Sequence, residues 1–460
     1  MKWSFLWFSL SLVAFHWATF GACAQHPPDE AQICDSALHL PLTVYETHIN
    51  FLTISHRVSN PSSHLERHEK ERSALLSRLR SGKNDVRSKK RPRYFMLKAL
   101  YGLQRYEETN QGELKRLQSL YESISKVQRK FIESKLNYTT KFDKCKSLFS
   151  SNNQLVRSIV ENAFRYYEIS NDELDSFASS VEKTEKPDRI SISQALKHVV
   201  RDWSQDGYHE WIESYRCIIE TLKIFFPDHA PTGTARLAKS PLKILLPGSG
   251  LNRLAHEISK IGRNSFEVTA NEFSPYMNIV YRYLTTITTP SSLYLYPYLD
   301  NWSHQPSLSE QQRGVHFPDT LPSMSDVLLV EGDFTHVFSG SEWAASQDVL
   351  ITHFFLDTAR NVLSYVNTIR RVLKPGGVWI NFGPLLWSYN TQLKLSLEEI
   401  VTISEAVGFD FLETNDSFGP KTLGHLPVRS IHAPYGFNQR ALTENAYKAQ
   451  FWVAQKKTWS

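Results

Sequence analysis

The sequence predicts an α/β fold, with a largely parallel sheet in the second half of the chain and a layer of helices before it. Two observations indicate this fold. From residue 243 onward, short apolar runs alternate with helical patterns, and the first run is Ile244–Leu246. Gly248 and Gly250 then form a turn too tight for side chains, immediately before a helix. A strand, a glycine turn and a helix N-terminus are typical of a Rossmann-like sheet that binds a nucleoside.

The second predicted strand is followed by an acid at the edge of the sheet where a nucleoside would bind. The strand predicted at 266–270 is followed by Glu272, a carboxylate that can accept hydrogen bonds from ribose hydroxyls. Further strands are predicted at 326–330, 348–355, 378–382 and 450–454. A helix is predicted over 358–373, running into Lys-Pro-Gly-Gly. A dinucleotide fingerprint would require a third glycine at position 253, where this chain has arginine, so another nucleoside is favoured.

Helical periodicity dominates the chain before the sheet. Apolar residues recur at three- and four-residue spacing over 73–79, 94–106, 111–136, 191–204 and 215–224. The polar stretch 179–188 is predicted to be a linker. The chain therefore divides into a signal-like or anchor segment, a mostly helical region and the domain that carries the sheet. Their ranges are 1–24, 25–190 and 191–460.

Six motifs occur in order along the second half of the chain. They are Pro-Gly-Ser-Gly-Leu-Asn-Arg-Leu-Ala-His-Glu-Ile, Asn-Glu-Phe-Ser-Pro-Tyr-Met, Tyr-Pro-Tyr-Leu-Asp-Asn-Trp, Gly-Asp-Phe, Phe-Phe-Leu-Asp-Thr-Ala-Arg-Asn-Val and Trp-Ile-Asn-Phe-Gly-Pro-Leu-Leu-Trp. Together they resemble the carnosine N-methyltransferase family, from about residue 201 to 453 and more weakly back to 94. The resemblance implies a Rossmann-like class I methyltransferase sheet and S-adenosyl-L-methionine as cofactor. It also implies methylation of an imidazole nitrogen of carnosine, giving anserine, or of a related histidine-containing dipeptide.

The resemblance further implies which residues bind the cofactor. They are His198, Arg201, Gly248, Gly250, Glu272, Asp333, Phe334 and His353. Arg201 is expected to bind the cofactor carboxylate, since a guanidinium can donate two parallel hydrogen bonds to it. His198 stands where the family has a glutamine. The alternative for His198 and Arg201 is an exposed pair on one helix.

On the substrate side the resemblance implies Asp357, Tyr435, Tyr447 and Ser388. Asp357 is the catalytic candidate, because a carboxylate on the non-reacting imidazole nitrogen would fix the tautomer and stabilise the cation that forms. Its alternative is to cap the helix predicted at 358–373. The rings of Tyr435 and Tyr447 are expected to sandwich the imidazole, with half-buried core tyrosines as the alternative. Ser388 replaces a substrate-binding histidine of the family, which leaves the particular acceptor open.

Two other functions stay open from the sequence: methylation of histidine in a peptide or protein, and nucleoside binding without catalysis. The presence together of Gly248, Glu272, Asp333 and Asp357 argues against the second, because a binding scaffold has no need of the substrate-side acid. The net charge of +5 is small for 460 residues, so no nucleic-acid partner is expected. A homodimer is compatible with the sequence.

The first 24 residues and the rest of the chain favour different compartments. Lys2 precedes an apolar stretch over 3–20, and Ala22-Cys23-Ala24 fits a small-residue cleavage site, as in a secretory signal or a membrane anchor. Only Cys34, Cys145 and Cys217 follow, an odd number for a disulfide framework. Because the cofactor is made in the cytosol, we expect a cytoplasmic location, or a nuclear one. The alternative is the secretory pathway or a membrane anchor.

Overall fold

A computed structural model describes residues 61–81, 91–181, 184–229, 240–261 and 265–458 of the chain. The signal-like segment 1–24 lies outside the described residues. Across the ranges that are described, no helix is both long and apolar enough to cross a membrane.

Helices fill the described chain before the sheet. They are α1 (Pro61–Arg80), α2 (Pro92–Gln104), α3 (Tyr106–Glu122), α4 (Lys126–Leu136), α5 (Thr140–Tyr167), α6 (Asn171–Val181), α7 (Arg189–Trp203) and α8 (Tyr208–Phe225). The helical pattern over 111–136 is divided between α3 and α4, because Ser125 and Gln128 form a capping box that begins a new helix. Similarly, α7 begins where the Asp188 side chain accepts a hydrogen bond from the backbone N–H of Ser191.

Strands and helices then alternate to the end of the described chain. They are β1 (Leu242–Pro247), α9 (Arg253–Ile261), β2 (Phe266–Glu272), α10 (Pro275–Leu284), β3 (Leu293–Leu295), α11 (Leu308–Gln311), β4 (Val315–Phe317), β5 (Val327–Glu331), α12 (Phe334–Val337), β6 (Gln347–His353), α13 (Val362–Val372), β7 (Leu373–Gly383), α14 (Leu397–Val407), β8 (Phe409–Leu412), β9 (Arg429–Pro434) and β10 (Ala446–Lys456). The main sheet has the order β5-β2-β1-β6-β7-β10-β8. Its first five strands are parallel, and β10 is antiparallel to β7, β8 and β9. This arrangement confirms the predicted α/β fold.

Alternate residues of the central strands point into two separate apolar cores, as the period of a strand requires. On β1, Ile244 and Leu246 join the core that also contains buried residues of α2, α5, α7 and α8. Leu245 between them joins the opposite core, with residues of α13 and α14. The helical layer predicted before the sheet therefore covers one of its faces, and the helices between the later strands cover the other.

A buried carboxylate on the edge strand β5 joins helices α5 and α10 to the sheet. Arg282 of α10 donates to Glu331 over 2.9 Å, and the Tyr167 hydroxyl of α5 donates to the other carboxylate oxygen over 3.0 Å. The side chains of Arg282 and Glu331 are 5% and 4% exposed. Three elements thus converge on a single carboxylate that water does not reach.

Replacing Glu331 with alanine is expected to lower the free energy of unfolding by about 3–5 kcal/mol, because the Arg282 charge would stay buried without its partner. The comparison is Glu113→Ala, which breaks the surface pair with Arg116 and should cost at most about 1 kcal/mol. Urea titrations of the two variants measure the difference. Equal losses would mean that water reaches Arg282.

The helix predicted over 358–373 begins later than expected. Leu356–Thr358 form a single 3₁₀ turn, and α13 starts at Val362 with Asn361 as its cap. The Asn361 side chain accepts the backbone N–H of Leu363 over 3.1 Å. The alternative role of Asp357, capping this helix, is therefore wrong.

Candidate active site

The carboxyl ends of the parallel strands meet at one edge of the sheet, and the glycine turn lies there. Gly248 and Gly250 both have positive φ angles, of 64° and 56°. A Cβ atom on Gly248 would lie 2.1 Å from the Phe355 ring, so no side chain fits. A Cβ atom on Gly250 would meet only the Asp202 carboxylate, 3.9 Å away, which leaves room for a ligand against the backbone.

Glu272 closes this turn from the neighbouring strand β2. One carboxylate oxygen accepts the backbone N–H of Gly250 over 2.9 Å, and the other accepts that of Ser274 over 2.7 Å. Burial raises the pKa of Glu272, and the backbone donors oppose that rise. The acid expected to bind ribose therefore lies directly beside the glycine turn.

Asp333 and Phe334 follow the edge strand β5 and have different surroundings. Asp333 is half exposed and caps the short helix α12, accepting from Thr335 over 2.9 Å. Phe334 is buried and packs edge to face on Phe355, with the ring centroids 5.6 Å apart. Phe355 is the ring beneath Gly248, so Phe334 supports the glycine turn from below.

Helix α7 brings His198 and Arg201 to the same edge, and neither is exposed. The Arg201 guanidinium is paired with the adjacent Asp202 over 2.7 Å and lies over the Tyr435 ring at 4.8 Å. The His198 ring contacts Phe437 edge to face at 4.9 Å, and its Nδ1 is buried without a hydrogen-bond partner. Burial lowers the pKa of His198 well below its ordinary value, so the ring is neutral. The alternative of an exposed surface pair is wrong.

Two contacts fix the end of α7 against the glycine turn. The Trp203 indole N–H donates to the Leu251 carbonyl over 2.9 Å. Arg253, which stands where a dinucleotide fingerprint would have glycine, donates to the Asp202 carbonyl over 2.8 Å and pairs with Asp319 over 2.7 Å. Arg253 therefore joins the turn to α7.

His353 ends β6, and its ring is held from α8. Its Nε2 lies 3.1 Å from the Ser214 hydroxyl. Burial, together with the charge of Arg201, lowers the pKa of His353 to about 3. The ring is consequently neutral at physiological pH and acts as a hydrogen-bonding aromatic group.

Asp357 lies just beyond β6 and is buried, with 9% of its surface exposed. One carboxylate oxygen accepts the backbone N–H of Leu386 over 3.0 Å. Burial raises the pKa of Asp357 to about 7, and the Leu386 N–H opposes the rise. A carboxylate with so little hydration would be a strong acceptor for a ligand N–H group.

An aromatic cluster lies at the start of β10. Phe354 contacts Tyr435 and Tyr447, with centroid distances of 4.8 and 6.2 Å. The two tyrosine rings are 6.1 Å apart and inclined at 64°, so they meet edge to face rather than as the two sides of a sandwich. Phe354 and Phe437 have positive φ angles of 49° and 61°, a strained conformation for phenylalanine.

Ser388 is not part of this cluster. It is exposed, and its hydroxyl lies 3.1 Å from that of Thr391 in the turn after β7. Sequence reasoning also missed Asp202, Glu210 and Phe354, which the structure places among the predicted residues. Asp202 and Phe354 adjoin predicted positions in the chain, whereas Glu210 is brought in only by the packing of α8.

The arrangement fits the methionine and ribose parts of S-adenosylmethionine. The open space in front of Gly250, the carboxylate of Glu272 and the unpartnered Nδ1 of His198 all lie at the edge where parallel strands end. A sheet of five parallel strands followed by one antiparallel strand, with this edge, defines a class I S-adenosylmethionine-dependent methyltransferase.

Comparison with known proteins narrows the class. A family model described as carnosine N-methyltransferase matches residues 179–458. The carnosine N-methyltransferase of Schizosaccharomyces pombe is 28% identical over 70% of this chain and 83% of its own length. That of Mus musculus is 29% identical over 77% of this chain and 83% of its own length. The chain belongs to the carnosine N-methyltransferase family.

Proposed function

We propose that this enzyme methylates an imidazole nitrogen of carnosine, or of a related histidine-containing dipeptide. The observation that carries the proposal is Asp357, a buried carboxylate at the edge of the sheet that helix capping does not explain. The names of the curated relatives support carnosine as the acceptor. Arg201, His198, Gly250 and Glu272 are proposed to bind the cofactor.

The chemistry that the chain must supply is modest. When bound, S-adenosylmethionine supplies a methyl group already activated on its sulfonium. An imidazole with a pKa near 6.5 is largely neutral at physiological pH, so it needs no strong base. Asp357 is proposed to accept the N–H of the non-reacting ring nitrogen, which leaves the other nitrogen with its lone pair free. As the ring gains a methyl group it becomes positively charged, and the nearby carboxylate stabilises that charge.

The aromatic cluster is proposed to hold the imidazole in place. Phe354 and Tyr435 pack against each other beside the end of β6, and Tyr447 meets Tyr435 edge to face, so the imidazole is proposed to lie against this cluster. Rings in this arrangement exclude water and favour a flat aromatic ligand. Asp357 would then act in a site of low polarity, where its charge is most effective.

Methyl transfer from labelled S-adenosylmethionine tests the proposal. The purified enzyme is incubated with carnosine, with other histidine dipeptides and with longer peptides that contain histidine. We expect carnosine or another dipeptide to be labelled on its imidazole, as located by mass spectrometry of the product. Labelling of the longer peptides alone would contradict the proposal and assign the enzyme to peptide or protein histidine.

The pH dependence of kcat/KM follows from two groups. Asp357, with a pKa of about 7, must be ionised, and a substrate imidazole with a pKa near 6.5 must be neutral. Both conditions fail as the pH falls, so kcat/KM should decline below about pH 7 with a slope approaching two log units per pH unit. In Asp357→Asn the slope should fall to one. An unchanged slope in the variant would exclude titration of Asp357.

A cytoplasmic location is likewise proposed. Cys145 and Cys217 are buried and unpaired, as in proteins of reducing compartments. Intact-mass measurement of the protein from its native source is expected to show a chain that still contains residues 1–24. A chain trimmed near Gln25 would instead assign the protein to the secretory pathway.

A further inference from the structure

Glu210 of α8 is a buried acid with one unused oxygen. The residue is 7% exposed. Its Oε1 accepts the backbone N–H of Gly436 over 3.3 Å, whereas its Oε2 is buried without a hydrogen-bond partner. Among the described residues, no lysine, arginine or histidine forms an ion pair with it. A buried carboxylate in this state is unfavourable, because one of its oxygens has lost water and gained nothing.

The acid lies beside the candidate active site. Gly436, which Glu210 holds, stands between Tyr435 and Phe437, whose rings contact Arg201 and His198. Burial raises the pKa of Glu210, while the charge of Arg201 and the backbone N–H groups of Gly436 and Phe437 oppose that rise. Arg201 itself is paired with Asp202, so it does not neutralise Glu210 by direct contact. Glu210 therefore lies beside the site with one buried oxygen and no cation from the described part of the chain in direct contact.

We propose that Glu210 binds an ammonium group of a ligand in this site. The proposal rests on the proposed function, since both ligands that it names carry such a group. Carnosine has a free amino group at the end opposite its imidazole, and S-adenosylmethionine has one on its methionine part. An ammonium group fits because it both donates hydrogen bonds to Oε2 and neutralises the buried charge. A metal ion does not fit, because the described residues contain no cluster of ligands for one.

The amino group of the dipeptide is the expected source. The Asp202 carboxylate lies 3.9 Å from the Cβ position of Gly250, and the adjacent Arg201 is paired with it, so the two charges suit the zwitterionic methionine part of the cofactor. Glu210 is attached instead to the loop of Tyr435, on the proposed substrate side. It thereby selects dipeptides with a free amine over those whose amine is blocked.

The test is Glu210→Gln, which keeps an oxygen for the Gly436 N–H but removes the charge. Glu213→Gln is the matched control, because Glu213 lies on the same helix, is half exposed and pairs with Arg216. Calorimetry measures binding of carnosine and N-acetylcarnosine to the enzyme saturated with S-adenosylhomocysteine. A second arm measures the binding of S-adenosylhomocysteine, and of its deaminated analogue, to the enzyme without a dipeptide. Thermal unfolding of each variant checks that it is folded.

The expected result is that Glu210→Gln weakens the binding of carnosine about ten-fold or more, the range of a hydrogen bond to a charged group. The affinity for N-acetylcarnosine should be unchanged. A loss confined to S-adenosylhomocysteine, and absent for its deaminated analogue, would also support ammonium binding and assign it to the cofactor. The proposal would be overturned if Glu210→Gln changed the affinity for amine-bearing and amine-free forms equally in both arms, or changed neither. If the wild-type enzyme binds S-adenosylhomocysteine but not carnosine, the proposed function fails and the second arm alone decides the role of Glu210.

Discussion

Asp357→Asn is expected to lower turnover by about 10²–10³-fold, the usual effect of removing a group that stabilises charge in the transition state. Asparagine keeps the shape of the side chain and an oxygen that can accept the Leu386 N–H. It loses the negative charge that would balance the developing imidazolium. Affinity for S-adenosylhomocysteine, measured by calorimetry, should barely change, because Asp357 is proposed to contact only the substrate.

The fold should survive this substitution. Helix α13 keeps its own cap, Asn361. The pKa of Asp357 is raised to about 7 in the folded protein, so its contribution to stability is greatest below its unfolded pKa of about 3.9 and is lost as the pH rises through 7. At pH 8 the variant should therefore be at least as stable as the wild type. The control is Asp348→Asn at the other end of β6, where Asp348 pairs with Lys374. Normal turnover in Asp357→Asn would remove the residue from the catalytic step.

Glu272→Ala is expected to weaken cofactor binding by about 1.5–3 kcal/mol, roughly 10- to 150-fold in the dissociation constant, because the ribose hydroxyls lose a charged acceptor. The loss has a second origin in this structure. Glu272 also accepts the backbone N–H groups of Gly250 and Ser274, so alanine leaves the glycine turn without its support. Calorimetry with S-adenosylhomocysteine measures the combined effect.

Two further variants separate these contributions. Glu272→Gln retains one acceptor oxygen for the turn and should bind more tightly than Glu272→Ala, though still more weakly than the wild type. Glu267→Ala is the control, because Glu267 lies on the same strand, away from the glycine turn, and pairs with Arg67. Unchanged affinity in Glu272→Ala would exclude the residue from the cofactor site.

The sequence predicts well those features that depend on neighbours in the chain. The strands around Gly248 and Gly250, and the acid that ends β2, belong to a single stretch of about thirty residues. Their positions at the sheet edge follow from the geometry of parallel strands alone. The division between α3 and α4 is not predicted, because the apolar spacing runs through both helices, although the capping box at Ser125 has a recognisable spacing.

Features that depend on distant contacts could not be predicted in this way. Asp357 lies in a 3₁₀ turn before α13, where its carboxylate accepts the backbone N–H of a residue 29 positions later. Glu210 approaches the site through Gly436, 226 residues away. The inclination between Tyr435 and Tyr447 is likewise set by Phe354, from another strand end. No local pattern in the sequence carries such information.

The position of β10 has a consequence for biosynthesis. This strand follows all the other described strands in the chain, yet it pairs with β7 on one side and with β8 and β9 on the other. While the ribosome is still making the chain, β7 has an open edge and β8 and β9 have no partner. Domains fold on the ribosome only as fast as their parts emerge. The sheet, and with it the contacts that Tyr435 and Tyr447 make with Phe354, can therefore be completed only after residue 456 has left the exit tunnel.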